Sequence, residues 1–260
     1  MDLEYFNEQV FFATVRITLP DQTGTNTSIG TGFLVKFPLS RYPGKALLLL
    51  ISNKHVYSDP RKRIVLTFHK KDKENRPSLT EFTTFDKIDF TGIYYEHPNP
   101  EVDLACINVS FLELPENNIY IRNIPPELFV DYSHKGFLPG SDIWFIGYPD
   151  NRFDSEHNLP ILRRGYVASI PKIDYNGKKQ FVIDAQVFPG SSGSPVFVFL
   201  ENQFKFCGVI AQTMIKNEML QSIPATARYG VPQIIGLGVV IKSELVKDLL
   251  EIIDQTVNIS

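Results

Sequence analysis

Strand-length apolar runs, cut apart by turn residues, recur along almost the whole of this 260-residue chain, and they limit the folds open to it. Residues 32–35, 46–51, 64–68 and 104–109 form a first group. Residues 143–148, 165–170, 181–184, 196–200, 204–210 and 235–241 form a second. Many short strands with few helical stretches read as barrels or sandwiches. Between the groups, residues 112–131 carry Pro115, Pro125 and Pro126 and read as a linker. One segment breaks the pattern. In residues 243–255, Leu245, Val246, Leu249, Leu250, Ile252 and Ile253 recur at helical spacing, with Ser243 as a candidate N-cap.

Within the second group lies Pro189-Gly190-Ser191-Ser192-Gly193-Ser194-Pro195, a serine-rich turn leading into the apolar run 196–200. Glycines on either side leave the backbone free to turn tightly. Such a turn can present one hydroxyl and aim backbone N–H groups at a single point, which is what acyl transfer requires. Ser192 is the candidate nucleophile. His55 follows the most aliphatic run, 47–51, where a strand end can hold an imidazole. Asp103 opens the run 104–109, where a carboxylate can accept from a histidine ring N–H. All five histidines precede Ser192. That order speaks against an α/β-hydrolase-type esterase, whose histidine follows its serine, and agrees with the order histidine, aspartate, serine.

Composition narrows the function classes. Apolar residues reach 43% and aromatics 12%, enough for a β-dominated core. The net charge of −3 speaks against nucleic acid as a partner. The aliphatic run 47–51 is too short to cross a bilayer, and the acidic start of the chain lacks a secretory signal pattern, so no membrane association is expected. Cys106 and Cys207 each sit inside an apolar run and read as buried thiols, which with the preceding features gives a cytoplasmic, reducing setting as the expectation. No two histidines stand at helical ligand spacing and no phosphate-cradling glycine loop occurs, so neither metal nor cofactor is expected.

The motifs together resemble a known family, the trypsin-like serine peptidases, in particular their disulfide-poor bacterial branch with the Deg/Htr-type proteases. The resemblance is carried by Gly30-Thr31-Gly32-Phe33-Leu34-Val35, Ile51-Ser52-Asn53-Lys54-His55-Val56, Asp103-Leu104-Ala105, Ile146-Gly147-Tyr148-Pro149, the turn around Ser192, and Gly236-Leu237-Gly238-Val239-Val240. It implies an all-β fold of two six-stranded antiparallel barrels with a C-terminal helix. A single peptidase domain would span 1–260, with a first barrel at about 5–115, a linker at about 112–131, a second barrel at about 132–241 and the helix at about 243–255.

The same resemblance implies roles. Ser192 attacks the scissile carbonyl, His55 acts as base and then acid, and Asp103 orients His55. The N–H groups of Gly190 and Ser192 form the oxyanion hole. Gln186 lies at the base of the substrate pocket, with Ala211, Gln212, Thr213 and Gly238 along its walls. Gln186 is no carboxylate, so an uncharged side chain is expected at the substrate's first position. Secreted trypsins order this turn with an ion pair between a new N-terminus and an aspartate before the serine. Ser191 stands there instead, so the chain is expected to be competent without that pair or to be ordered by a regulatory partner. Residues 150–164, with His157, read as a surface loop at the second barrel's rim. The expected function is a serine endopeptidase acting on proteins or peptides. The alternative is a catalytically silent scaffold that binds a protein or peptide.

Overall fold

The computed structural model describes residues 4–21, 27–221 and 228–257. Its first half is a seven-stranded antiparallel sheet. The strands are β1 (Thr14–Pro20), β2 (Thr27–Pro38), β3 (Ala46–Ser52), β4 (Arg63–Lys71), β5 (Pro77–Ile88), β6 (Tyr94–Glu96) and β7 (Ala105–Asn108), in the spatial order β5-β4-β1-β2-β3-β7-β6. The second half is a closed barrel of β8 (Asp142–Gly147), β9 (Ile161–Val167), β10 (Gln180–Asp184), β11 (Pro195–Leu200), β12 (Gln203–Gln221) and β13 (Arg228–Lys242). Among the described residues three helices occur: α1 (Phe6–Gln9), α2 (Lys54–Tyr57) and α3 (Ser243–Thr256), besides short 3-10 turns. The expected all-β architecture with a closing helix is present, and the first half has one strand more than the six expected.

Side-chain alternation explains why these halves pack. Successive residues of a strand point to opposite faces. Along β3, Leu48 and Leu50 enter the interior of the first sheet with Leu34, Tyr57 and Phe90. Leu47, Leu49 and Ile51 point the other way, into a core shared with Ile146, Phe197, Phe206 and Val209 of the second half. Phe33 meets Phe206 there with ring centroids 5.1 Å apart. A strand buried on both faces reads as a continuous apolar run, as 47–51 does. Each such aliphatic side chain contributes about 1.5–3 kcal/mol by leaving water.

Helix α3 closes this shared core with Leu245, Val246, Leu249, Leu250 and Ile253. Its Asp254 accepts from Ser40 N of the first half at 3.0 Å and from the Ser40 hydroxyl. Ser243 does not cap it. The N-cap position is Lys242, and the Ser243 hydroxyl is buried without a partner while its N–H donates to Tyr132 Oη at 3.2 Å. The segment that joins the halves is pinned to both. Ile124 N donates to Leu34 O at 2.8 Å, and Val130 N donates to Phe206 O at 2.9 Å. Cys106 and Cys207 are buried and unpaired with each other, and burial pushes both thiols well above their ordinary range. Among the described residues no helix is long and apolar enough to cross a membrane.

Candidate active site

The register of β3 and β7 sets the first part of the site. Ser52 pairs with Ala105, so the chain leaving β3 and the chain entering β7 stay side by side just past that pair. His55 lies in the single turn α2, three residues beyond Ser52, and Asp103 two residues before Ala105. Tyr57, fully buried, donates its hydroxyl to Leu50 O at 2.6 Å and fixes α2 against the sheet. The His55 ring Nδ1 lies 2.6 Å from Asp103 Oδ2, and His55 N donates to Asp103 Oδ1 at 3.1 Å. Both carboxylate oxygens are therefore used. Asn53 Nδ2 donates to Asp103 O at 2.8 Å, and Lys54 Nζ donates to His97 O at 2.7 Å and Asn99 O at 3.1 Å. The loop carrying Asp103 is thus tied to the residues around His55.

A ring nitrogen against a carboxylate carries the proton, so Nδ1–H donates and Nε2 of neutral His55 is an acceptor. The His55 side chain is 51% exposed, which leaves Nε2 open to a reacting group.

The turn between β10 and β11 supplies the second part. Thr31 on β2 stands two residues before Phe33, which pairs with Ile51, and so lies across from Asn53. Thr31 N donates to Ser192 O at 2.9 Å, and Ser52 Oγ donates to Thr31 O at 2.6 Å. The Ser192 turn therefore sits on the end of β3, next to α2. Gly193 has φ +85°, and a Cβ there would run into Thr31 O and Ser52 Oγ. Gly190 also has φ +85°, and a Cβ there would run into Tyr148 O. Both positions demand glycine for conformation and for space. Ser192 is half-buried, and among the described residues no hydrogen bond joins its Oγ to His55 Nε2.

The backbone donors of this turn divide into two groups. Ser191 N donates to Phe188 O at 3.0 Å, Gly193 N to Ile210 O at 2.8 Å and Ser194 N to Ser191 O at 3.0 Å. Gly190 N and Ser192 N find no acceptor among the described residues. These two are the donors expected for an oxyanion. Among the described residues the hydroxyls of Ser191 and Ser194 are buried without hydrogen-bond partners, whereas Ser192 is only half-buried.

The expected pocket residues gather around the same turn. Gln212 pairs with Val239 and Thr213 with Gly238. Thr213 Oγ1 donates to Val187 O at 2.9 Å, which ties the 211–213 wall to the segment between β10 and the turn. Val187 is buried and packs against the Gly238 backbone, while Gln186 is exposed. Gln212 is also exposed, and Ala211 and Thr213 are half-buried. Residues 150–164 are not simply a rim loop. Residues 161–164 belong to β9, and the rest rests on the first half. Thr31, Ser52 and Asn53 support the site through hydrogen bonds that their residue types alone do not announce. Their only sequence signal is proximity to His55 and to the opening glycines. Among the described residues no group of three potential metal ligands gathers.

Comparisons with known proteins speak to the family and the fold. The model of the trypsin-like peptidase domain family matches residues 30–205. No curated protein matches the sequence. Among solved structures, the chain is similar to an inactive-form serine-to-alanine mutant of Rv3671c from M. tuberculosis H37Rv, at 17% identity and a TM-score of 0.50, covering 96% of this chain and 91% of that one. It is also similar to the scabies mite inactivated protease paralogue S-I1, at 16% identity and a TM-score of 0.53, covering 95% and 96%. At such identities these likenesses speak for the fold. The family match spans more than half of the chain, and the protein belongs to the trypsin-like peptidases of chymotrypsin fold.

Proposed function

We propose that this chain is a serine endopeptidase that cleaves protein or peptide substrates through Ser192, His55 and Asp103. The observation that carries the reading is the 2.6 Å contact of His55 Nδ1 with Asp103 Oδ2. It fixes the tautomer in which Nε2 accepts a proton. In the reaction Ser192 Oγ attacks the substrate carbonyl carbon and His55 Nε2 takes the hydroxyl proton. The carbonyl electron pair moves onto oxygen, where the unspent N–H groups of Gly190 and Ser192 receive it. Collapse expels the amine, which takes the proton from His55. Water then repeats the sequence on the acyl-enzyme and restores Ser192. Asp103 keeps its charge throughout and stabilises the imidazolium.

The pocket bounded by Gln186, Ala211, Gln212, Thr213 and Gly238 holds no carboxylate among these residues, so the first substrate side chain is uncharged. A peptide library cleaved strictly after Lys or Arg would overturn that preference.

A second reading is a protease-like scaffold that binds peptides without cutting. It is favoured by the missing hydrogen bond between His55 Nε2 and Ser192 Oγ. It also draws on the inactivated scabies mite paralogue, which keeps the same fold. A fluorophosphonate probe separates the two. The expected result is a covalent adduct on Ser192 in the wild type, none in Ser192→Ala, and peptide hydrolysis lower by roughly four to six powers of ten in the variant. A wild-type protein that is never labelled, with hydrolysis equal to that of Ser192→Ala, establishes the scaffold instead.

A further inference from the structure

The turn before Ser192 lacks the charged residue that would anchor it from within, since position 191 is a serine whose hydroxyl is buried without a partner. Its peptides are nevertheless held, one by one. Asp150 N donates to Pro189 O at 2.6 Å. A peptide's C=O and N–H point in opposite directions, so this bond turns Gly190 N–H away from residue 150 and leaves it free. Thr31 Oγ1 donates to Gly190 O at 2.8 Å and holds the next peptide. Ser194 N donates to Ser191 O at 3.0 Å, which leaves Ser192 N–H pointing the other way.

The residue that fixes the first peptide, Asp150, is itself in a strained turn. Asp150 and Asn151 have φ of +51° and +54°, a region that L-residues enter at a cost of about 1–2 kcal/mol each. Contacts with the first half hold that turn. Arg16 Nη1 donates to Asn151 Oδ1 at 3.1 Å, and the guanidinium lies 4.1 Å from the centroid of the Phe153 ring. Phe153 meets Tyr148 edge to face at 5.9 Å. Tyr148 N donates to Thr31 Oγ1 at 3.1 Å, so this one hydroxyl serves both the 148–153 turn and the Ser192 turn. Arg16 and Thr31 are direct cross-strand partners on β1 and β2. Side chains at paired positions share a face of the sheet. Arg16 is partly buried, and its hydrogen-bond acceptor is the neutral amide of Asn151, so burial lowers its pKa.

We propose that the Arg16–Thr31 pair is the positioning device of the oxyanion turn: Arg16 holds the turn at 150–153, whose backbone sets the Pro189–Gly190 peptide, and Thr31 sets the Gly190–Ser191 peptide. Neither residue touches substrate. The consequence for catalysis rests on the serine-peptidase reading, whereas the consequence for the backbone does not. The first sheet, which presents His55, thereby also shapes the oxyanion hole across the seam.

The test compares crystal structures and kinetics of the wild type with Arg16→Met and Asn151→Ala. Asn151 is exposed, so the second variant answers the question even where the first folds poorly. The expected structures lose the Asp150 N to Pro189 O bond and rotate the Pro189–Gly190 peptide. An unchanged peptide in both variants overturns the proposal. In kinetics, kcat falls roughly 10- to 100-fold with KM within about twofold, as for partial loss of one oxyanion donor. Affinity for a peptide aldehyde, whose adduct places an oxyanion in the hole, falls with kcat, while affinity for the product peptide does not. Asn151→Asp, which restores an acceptor for Arg16, retains more activity than Asn151→Ala. A uniform loss of aldehyde and product binding would mark a merely structural role and refute the assignment. The serine-peptidase reading fails on a different result, a wild-type protein with no fluorophosphonate adduct, and the crystallographic comparison then decides the positioning role alone.

Discussion

The proposed base and the proposed nucleophile of this site are built in opposite ways. His55 and Asp103 lie at the end of one sheet, on α2 and on the segment entering β7, and are tied by contacts within that half: two hydrogen bonds to the carboxylate, one to the Asp103 carbonyl, and the Lys54 link to the loop at His97 and Asn99. The turn of Ser192 takes much of its support from the other half of the molecule, through Thr31 N, Thr31 Oγ1 and the close packing of Gly193 on Thr31 and Ser52. The base is set by its own sheet, whereas the nucleophile is set by the docking of two halves. Changes at the base should therefore damage chemistry with little effect on stability. Changes at the seam should damage both.

The largest effect expected on this view is that of Asp103→Asn. The amide presents N–H where a carboxylate oxygen faced Nδ1, and it favours the tautomer in which Nε2 carries the proton and cannot act as base. A fall in kcat on the order of 10⁴ follows. Stability should change by less than about 1 kcal/mol, because the pair is partly exposed and solvent weakens it. Stopped-flow hydrolysis and thermal melts of the same samples check both halves of the claim. Activity within tenfold of the wild type would break the contrast, as would collapse of the fold.

Gly193→Ala tests the seam. A left-handed φ costs an alanine about 1–2 kcal/mol. The new methyl would also meet Thr31 O and Ser52 Oγ, which are already hydrogen-bonded at 2.6 Å. A total loss of about 3 kcal/mol or more is expected, a fall in Tm of roughly 6–12 °C for a chain of this size. Gly177 offers the control, with φ +73° and nothing within 4 Å of an added Cβ. Gly177→Ala should lose only the conformational part. Equal melting shifts in the two variants would mean that the seam has room the packing does not show, and the contrast between base and nucleophile would weaken.

The three proposed site residues stand out in the sequence because each sits in a locally marked setting: a histidine past an aliphatic strand, an aspartate opening another, a serine among glycines. Most strands were legible for the same reason, as apolar runs. β1, β5 and β6 were not. β1 alternates buried and half-buried residues, β5 is mostly half-buried or exposed, and β6 is three residues long with none fully buried, so none of them offers a continuous run. The supports of the site were hidden for a different reason. Arg16 reaches a residue 135 positions away and Thr31 one 159 positions away, and no local pattern marks either. Ser243 has the residue type of a cap, yet its burial under Tyr132 takes its hydroxyl out of that role. Local chemistry marks the proposed reactive residues in the sequence, while the contacts that orient the Ser192 turn exist only after the halves dock.

The smallest effect expected concerns a second contact across the seam, and it depends on pH. His69 on β4 is buried between Phe12 and Phe82, with ring centroids 4.9 Å and 5.2 Å away. Its Nε2–H donates to His157 O at 2.8 Å, which docks the 154–159 turn onto the first sheet. Burial pushes the His69 pKa down; the hydrogen bond to His157 O partly opposes this, and the His157 ring charge adds a smaller lowering. His157 is shifted the other way, chiefly by its hydrogen bond from Nδ1–H to Asp154 Oδ2 at 2.8 Å. In the unfolded chain both titrate near about 6.5. As pH falls through that value the unfolded chain protonates at His69 before the folded chain does, so the stability His69 contributes is complete above about pH 6.5 and is lost toward its lowered folded value. His157 contributes below about pH 6.5 and loses that contribution as pH rises through its raised folded value. The two histidines thus oppose each other on one docked turn. His69→Gln keeps an N–H donor but does not titrate, so its Tm should fall less than that of the wild type between pH 6.5 and 5. His157→Gln should differ on the other side, lacking the part of the wild-type fall in Tm that sets in as pH rises above about 6.5. Parallel melting curves for all three proteins would remove this turn from the contacts that couple the halves, and leave Thr31, Ser52 and Arg16 as the links by which the first sheet shapes the nucleophile.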